Sequence, residues 1–133
     1  FYSFIGKHNN IKYLGKSDDM RNIYENVDVM VLPSYREGLS KSLIEAAAMQ
    51  IPIVTTDVPG CRDVVQDGYN GFLCQPMSIK SLESTILKMI NISSEERVDM
   101  GRKSRKLVME KFSNEIIIKD YLNKIKQIFS KSS

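Results

Sequence analysis

Apolar residues in this chain fall in short runs, first at strand spacing and then at helix spacing. Ile11-Lys12-Tyr13-Leu14 reads as a short strand ending at Gly15, and Asp18 or Asp19 is placed to cap a helix through Tyr24 and Asn26. The β-branched run Val27 to Leu32, ended by Pro33, reads as a buried strand. A helix from about Ser40 to Gln50 follows, with Leu43, Ile44, Ala47 and Ala48 on one face and Lys41 and Glu45 together on another. Pro52 leads into a third strand, Ile53 to Thr56, standing where no ladder donor is needed. Cys61 to Gln66 reads as a short helix, Asp67-Gly68 and Asn70-Gly71 as turns, and Phe72-Leu73-Cys74 as a fourth strand closed by Pro76. From Ser78 the period becomes helical, with Leu82, Ile86, Leu87 and Ile90 on one face. Ser94 opens the next helix, and a last one carries Ile117, Ile118, Tyr121, Leu122, Ile125, Ile128 and Phe129.

Strands alternating with helices at this spacing predict an α/β fold: a parallel sheet of about four strands, joined by right-handed crossovers and covered on both faces. Ligands of such sheets bind beyond the carboxyl ends of the strands. The segments Gly15 to Ser17, Pro33 to Ser40 and Asp57 to Arg62 all leave such ends, so one rim gathers three loops.

The Pro33–Ser40 loop carries the chemistry. Glu37 lies in it and Glu45 follows eight positions later, in the first turns of the next helix. Gly38 lets the backbone approach a ligand, and Ser40 or Ser42 can cap the helix so that free N–H groups point outward. That helix end favours an anion such as a diphosphate, with Lys41 as an additional cation. Carboxylates cannot bind phosphate, but they accept hydrogen bonds from hydroxyls, so the combination suits a sugar nucleotide. The same pair also fits a helix glutamate placed for the dipole beside a solvated loop glutamate.

Composition narrows the classes. At 133 residues and 42% hydrophobic, the chain suits one domain with a single core. No apolar run approaches the ~20 residues of a membrane-spanning helix, and no signal peptide opens the chain. Cys61, Cys74 and His8 cannot make a four-ligand metal site or a disulfide framework, so neither a metal nor another cofactor is expected. Cys61 either lines the cleft beside the loop or packs on the core, while Cys74 is expected to be buried. Free thiols fit a cytoplasmic setting. The net charge of +3 is uneven: Arg97 to Lys131 holds ten basic and four acidic residues, and the preceding part nine and twelve. That excess would suit peripheral contact with anionic lipid at the inner face of a membrane, or a solvated helix face. Nucleic-acid binding has no aromatic or motif support.

The wording of the loops adds a resemblance. Glu37-Gly38-Leu39-Ser40, then Leu43-Ile44-Glu45-Ala46-Ala47-Ala48 and Ile51-Pro52-Ile53-Val54-Thr55-Thr56-Asp57, resembles the nucleotide-sugar half of the large retaining glycosyltransferase family with the GT-B fold. Val58-Pro59-Gly60-Cys61-Arg62-Asp63-Val64-Val65 and Asp67-Gly68-Tyr69-Asn70-Gly71-Phe72-Leu73 match its next loop and strand, in the same order. The match runs from about Lys12 to Glu83. It implies that Glu37 contacts hydroxyls of the donor sugar and Glu45 holds the ribose. The amides of Gly38, Leu39 and Ser40 would lie near the diphosphate and sugar, and Tyr13-Leu14-Gly15 near the base. Gln50 departs from the family, which commonly has glycine there; a non-glycine residue at a left-handed helix cap costs about 1 kcal/mol.

The resemblance implies a single partial donor-binding domain over 1–133, with a core at about 11–93 and C-terminal helices at about 94–130. The family's acceptor domain and its basic Arg and Lys pair have no counterpart here, and Phe1-Tyr2-Ser3 opens the chain without a Met, as in an excised piece. The expected parent moves a sugar from a nucleotide-diphosphate donor, most commonly UDP, to a saccharide or lipid-linked acceptor with retention. Pro59-Gly60-Cys61-Arg62 points to bacterial surface polysaccharide synthesis. This piece alone is expected to be inactive, and a dimer would cover the apolar stripe of its last helix. Two alternatives stay open: a nucleotide- or sugar-binding module without chemistry, and a GT-B nucleotide-sugar epimerase.

Overall fold

The computed structural model describes residues 21–34 and 40–112, together with Lys119 and Asn123, both exposed and helical. The elements in order are α1 (Arg21–Tyr24), β1 (Met30–Leu32), α2 (Lys41–Ala48), β2 (Ile53–Thr56), α3 (Pro59–Arg62), β3 (Gly71–Cys74), α4 (Ile79–Asn91) and α5 (Ser94–Lys111). The expected strand at Ile11–Leu14, the caps Asp18 and Asp19, and the apolar stripe from Ile117 to Phe129 lie outside the described residues.

The three described strands form one parallel sheet in the order β1-β2-β3. Met30 stands beside Ile53 and Leu32 beside Thr55, while Ile53 to Thr56 run beside Gly71 to Cys74. Met30 N–H donates to the Pro52 carbonyl, so pairing begins at the proline that itself has no donor. On one side of the sheet, α2, α3 and the end of α5 bury Leu43, Ile44, Ile53, Cys61, Val64 and Val108. On the other, α4 buries Met89 against Val54 and Phe72, joined by Met100 from the first half of α5. Helix α5 therefore serves both cores.

Three boundaries differ from the sequence expectation. β1 is shorter than Val27–Leu32, because Asn26 and Val27 turn back onto Ile23 and Tyr24 before the ladder starts. It is also not buried on both faces: Val31 is exposed on the Val54 side of the sheet, where, among the described residues, α4 packs mainly on β3 and β2. The helix expected at Cys61–Gln66 is instead Pro59–Arg62, since extended Val58 and Pro59 at the first helical position start it earlier. Beyond Arg62 the chain is held by fully buried Asn70, whose Nδ2 donates to the Val64 carbonyl and whose Oδ1 accepts from Gln66 N–H. Third, Gly71 is the first residue of β3 rather than a turn residue, and a Cβ there would stand 2.0 Å from the Ile53 carbonyl oxygen. The turn is Gly68–Asn70, with Gly68 at φ +79°.

Helix α4 also departs from its expected face. Leu82, Thr85, Ile86 and Met89 turn inward, whereas Leu87 is 49% and Ile90 58% exposed. At 100° per residue, Leu87 lies far round the helix from Leu82 and Met89. Serines cap three helices: Ser40 Oγ accepts from Leu43 N–H, Ser78 Oγ from Ser81 N–H and Ser93 Oγ from Glu96 N–H. Among the described residues no helix is long and apolar enough to cross a membrane.

Candidate functional site

The carboxyl ends of all three strands open on one rim, and α2 starts there. Its N-cap Ser40 is extended and buried, and its hydroxyl takes the Leu43 amide at 3.3 Å. The Ile44 amide returns to the Ser40 carbonyl at 3.1 Å. The amides of Lys41 and Ser42 thus remain as the first-turn donors that no helical carbonyl takes up. Of the two serines weighed as cap, Ser40 is the cap and Ser42 is exposed.

One turn into α2, Glu45 stands with its side chain 12% exposed, and Lys41 Nζ lies 3.8 Å from its carboxylate. The pair is at the outer limit of an ion pair, and Lys41 is 68% exposed, so solvent screens it and Glu45 holds the ammonium only weakly. On the inner side Tyr24 from α1 packs in the same core as Leu43 and Ile44. Burial first, and then the charge of Glu45, push its phenol from the usual 10.0 to about 12. Glu45 is therefore a largely buried carboxylate flanked by an exposed cation and a neutral phenol.

The remaining predicted site residues, Glu37, Gly38, Leu39 and Gly15, lie outside the described residues. The structure brings together Ser40, Lys41 and Glu45.

The neighbouring loop is committed differently. Arg62 Nε donates to the Asp57 carboxylate at 2.6 Å and its Nη2 reaches the Asp57 carbonyl, so this cation is engaged within its own turn. Cys61 is fully buried in the core and does not line the rim; Cys74 is buried at the end of β3. On the α4 side of the strand ends lies a crevice of about 350 Å³, lined by Pro33, Ser34, Thr56, Cys74, Gln75 and Ile79 among others. A larger depression of about 610 Å³ beside α3 and the end of α5 is lined by Arg62, Asp63, Asp67, Glu110 and Lys111. It lies away from the strand ends, where a parallel sheet presents its ligands.

Sequence reading missed Thr55 and Thr56, taken only as strand residues. Thr56 Oγ1 accepts from Ser34 N–H and Thr55 Oγ1 donates to the Leu32 carbonyl, both at 2.7 Å. The signal was a pair of hydroxyl residues at the end of an otherwise apolar strand, opposite a proline unable to continue the ladder.

With this geometry in view, the comparisons with known proteins agree on one family. The model of the glycosyl transferases group 1 family matches residues 4–107. The capsular polysaccharide biosynthesis glycosyltransferase CapM of Staphylococcus aureus is 36% identical over 116 residues, covering 87% of this chain and 30% of that protein. The N-acetyl-alpha-D-glucosaminyl L-malate synthase of Bacillus anthracis is 30% identical over 111 residues, covering 84% of this chain and 29% of that protein. Among solved structures, Anabaena HepE in complex with UDP and glucose superposes with a TM-score of 0.75 at 20% identity, covering 96% of this chain and 34% of HepE. That likeness is one of fold. The chain spans about a third or less of the length of these proteins. By the extent of the family match, the chain belongs to the glycosyl transferases group 1 family.

Proposed function

We propose that this chain is the donor-binding part of a glycosyltransferase that moves a sugar from a nucleotide-diphosphate donor, a UDP-sugar, to a saccharide or lipid-linked acceptor with retention. The observation that carries the reading is the start of α2, where the first-turn amides of Lys41 and Ser42 have no helical carbonyl to donate to, the Lys41 side chain is exposed, and the Glu45 carboxylate stands one turn behind. The amides and Lys41 stabilise the negative charge of the diphosphate as it leaves. Glu45 accepts hydrogen bonds from the ribose hydroxyls, and its low exposure strengthens them. Glu37 orients the donor sugar through its hydroxyls, assisted by the amides of Gly38 and Leu39, and Gly15 lies toward the base.

In this reading the catalytic work is electrostatic and positional, with no metal or organic cofactor. CapM, a relative named for capsular polysaccharide biosynthesis, supports a role in bacterial surface glycan assembly, on the cytoplasmic side of the membrane that holds a lipid-linked acceptor. HepE, a protein of this fold, was crystallised with UDP and glucose, so such a scaffold accepts a ligand of this kind. The isolated chain binds nucleotide weakly and transfers nothing, because acceptor recognition belongs to another domain of the whole enzyme.

Calorimetric titration of the full-length protein with UDP-glucose, UDP-galactose and UDP-N-acetylglucosamine tests the reading. Saturable binding of one of them, weakened by Glu45→Ala, is expected. Absence of binding to any nucleotide sugar would overturn it.

A further inference from the structure

Helix α5 carries both signs of charge, and they are not evenly mixed. Three of its cations have local work. Arg97 Nη1 donates to the carbonyls of Met89, Ile90 and Ile92 and closes the end of α4. Lys103 pairs with Asp99 at 2.9 Å and lies over the Tyr69 ring, and Lys111 Nζ donates to the Asp63 carbonyl. Arg102, Arg105 and Lys106 remain, at helix spacings of three and four that put them on one face. With Gln50 and Met109 they line a depression of about 470 Å³, where α5 crosses the end of α2.

No acidic side chain among the described residues lines that depression. Asp28 lines the neighbouring one with Arg97 and Val98, and Glu110, four residues on from Lys106, lines the one beside α3. Arg102 and Lys106 are exposed, and neither forms an ion pair with a described residue. Like charges one turn apart repel, and a helix face that only has to be soluble relieves this with an acid, as Asp99 does beside Lys103. Here three cations converge on a concave surface around a half-buried methionine. Guanidinium groups hold phosphate oxygens through paired N–H donors, and Met109 meets the apolar atoms next to them, so the patch suits a phosphodiester with hydrocarbon beside it.

We propose that the α5 face of Arg102, Arg105, Lys106 and Met109 docks the enzyme on an anionic phospholipid surface. The preference for lipid rests on the reading of the acceptor as lipid-linked, and on the lining of the depression, which has no aromatic ring to stack a nucleic-acid base. Helix α2 runs from the donor rim to Gln50, so a membrane seated on the patch leaves the donor entry uncovered.

The test is co-sedimentation of the full-length protein with vesicles of phosphatidylcholine alone, and of phosphatidylcholine with about a third phosphatidylglycerol. Binding to the anionic vesicles only, weakening as salt is raised, is expected. Each basic side chain near such a surface contributes about fivefold in affinity, so Arg102→Gln/Lys106→Gln should bind about 25-fold more weakly. Arg102→Lys/Lys106→Arg, which keeps the charge, should bind as wild type does. Lys80→Gln/Lys88→Gln removes the same charge from α4, on the other side of the sheet, and should stay within about twofold. Should the double glutamine variant fail to fold, Lys106→Gln alone should show a loss of about fivefold. Equal binding to neutral vesicles, or anionic-vesicle binding that the glutamine variant keeps, overturns the proposal. So does binding of polyuridylate through Arg102 and Lys106 without binding of vesicles. Titration with UDP-sugars separates this inference from the donor reading: if a UDP-sugar binds and anionic vesicles do not, docking alone fails, and if vesicles bind through α5 and no nucleotide sugar does, the donor reading fails.

Discussion

Gly101 of α5 lies directly against the backbone carbonyl of Gln50, where a Cβ would stand 2.0 Å from the oxygen. Helix α5 crosses the end of α2 at this point, and the missing side chain is what allows the crossing. Gly101→Ala forces the helices apart; overpacking of this kind costs roughly 1–3 kcal/mol, more than the ~1 kcal/mol that alanine gains within a helix. A melting temperature lower by on the order of 5 °C in a thermal scan is the expected result.

Gln50 itself has φ 63°, immediately after α2, where the family's glycine would be relaxed. Its side chain is not needed for the contact with Gly101, which is made by the backbone. Gln50→Gly should therefore stabilise the domain by up to about 1 kcal/mol, seen as a rise of a few degrees in melting temperature.

Glu45 is the best-defined candidate ligand group. Glu45→Ala in the full-length protein should weaken UDP binding by roughly 10- to 100-fold, the loss of charge-assisted hydrogen bonds to two ribose hydroxyls. A 2′,3′-dideoxy analogue of UDP, which lacks those hydroxyls, should bind wild type and variant alike in calorimetry.

Tyr24 makes a prediction in pH. Its folded value of about 12 lies above the ordinary 10.0, so the native state keeps its proton while the unfolded chain has lost it. The stability this contributes is complete below pH 10 and declines as pH rises from 10 to 12. Denaturant titrations across that range should show the decline in wild type and a smaller one in Tyr24→Phe. In ultraviolet absorbance, wild type minus variant should show no tyrosinate from this position at pH 10.

If the diphosphate is neutralised by amides and protein cations, chelation with excess EDTA should leave transfer by the full-length enzyme within about twofold of its untreated rate. A loss that added Mg²⁺ or Mn²⁺ restores would show that a metal takes part.

The sequence by itself determined what depends on neighbours along the chain. A serine cap at Ser40 or Ser42, Leu43, Ile44, Ala47 and Ala48 as one buried face, β2 ending at Thr56 and a strained Gln50 all follow from periodicity, capping chemistry and a residue out of place in a family pattern; the structure chose Ser40. The α/β class followed too, because alternating strands and helices leave few ways to bury both faces of a sheet.

Only the tertiary structure decided features that depend on what packs from afar. Val31 reads as buried in its run, and it is exposed on a side of the sheet where, among the described residues, α4 packs mainly on β3 and β2. Cys61 has two readings in the sequence and one in the core, where it is fully buried, and Leu87 and Ile90, which the helical period groups with Leu82 and Ile86, are exposed. The Ser34–Thr56 bond joins residues 22 apart, and Gly101 meets Gln50 from another helix altogether. A local pattern records how a residue suits its own element. Which distant backbone will come to lie within 3 Å of it is fixed only when the elements pack.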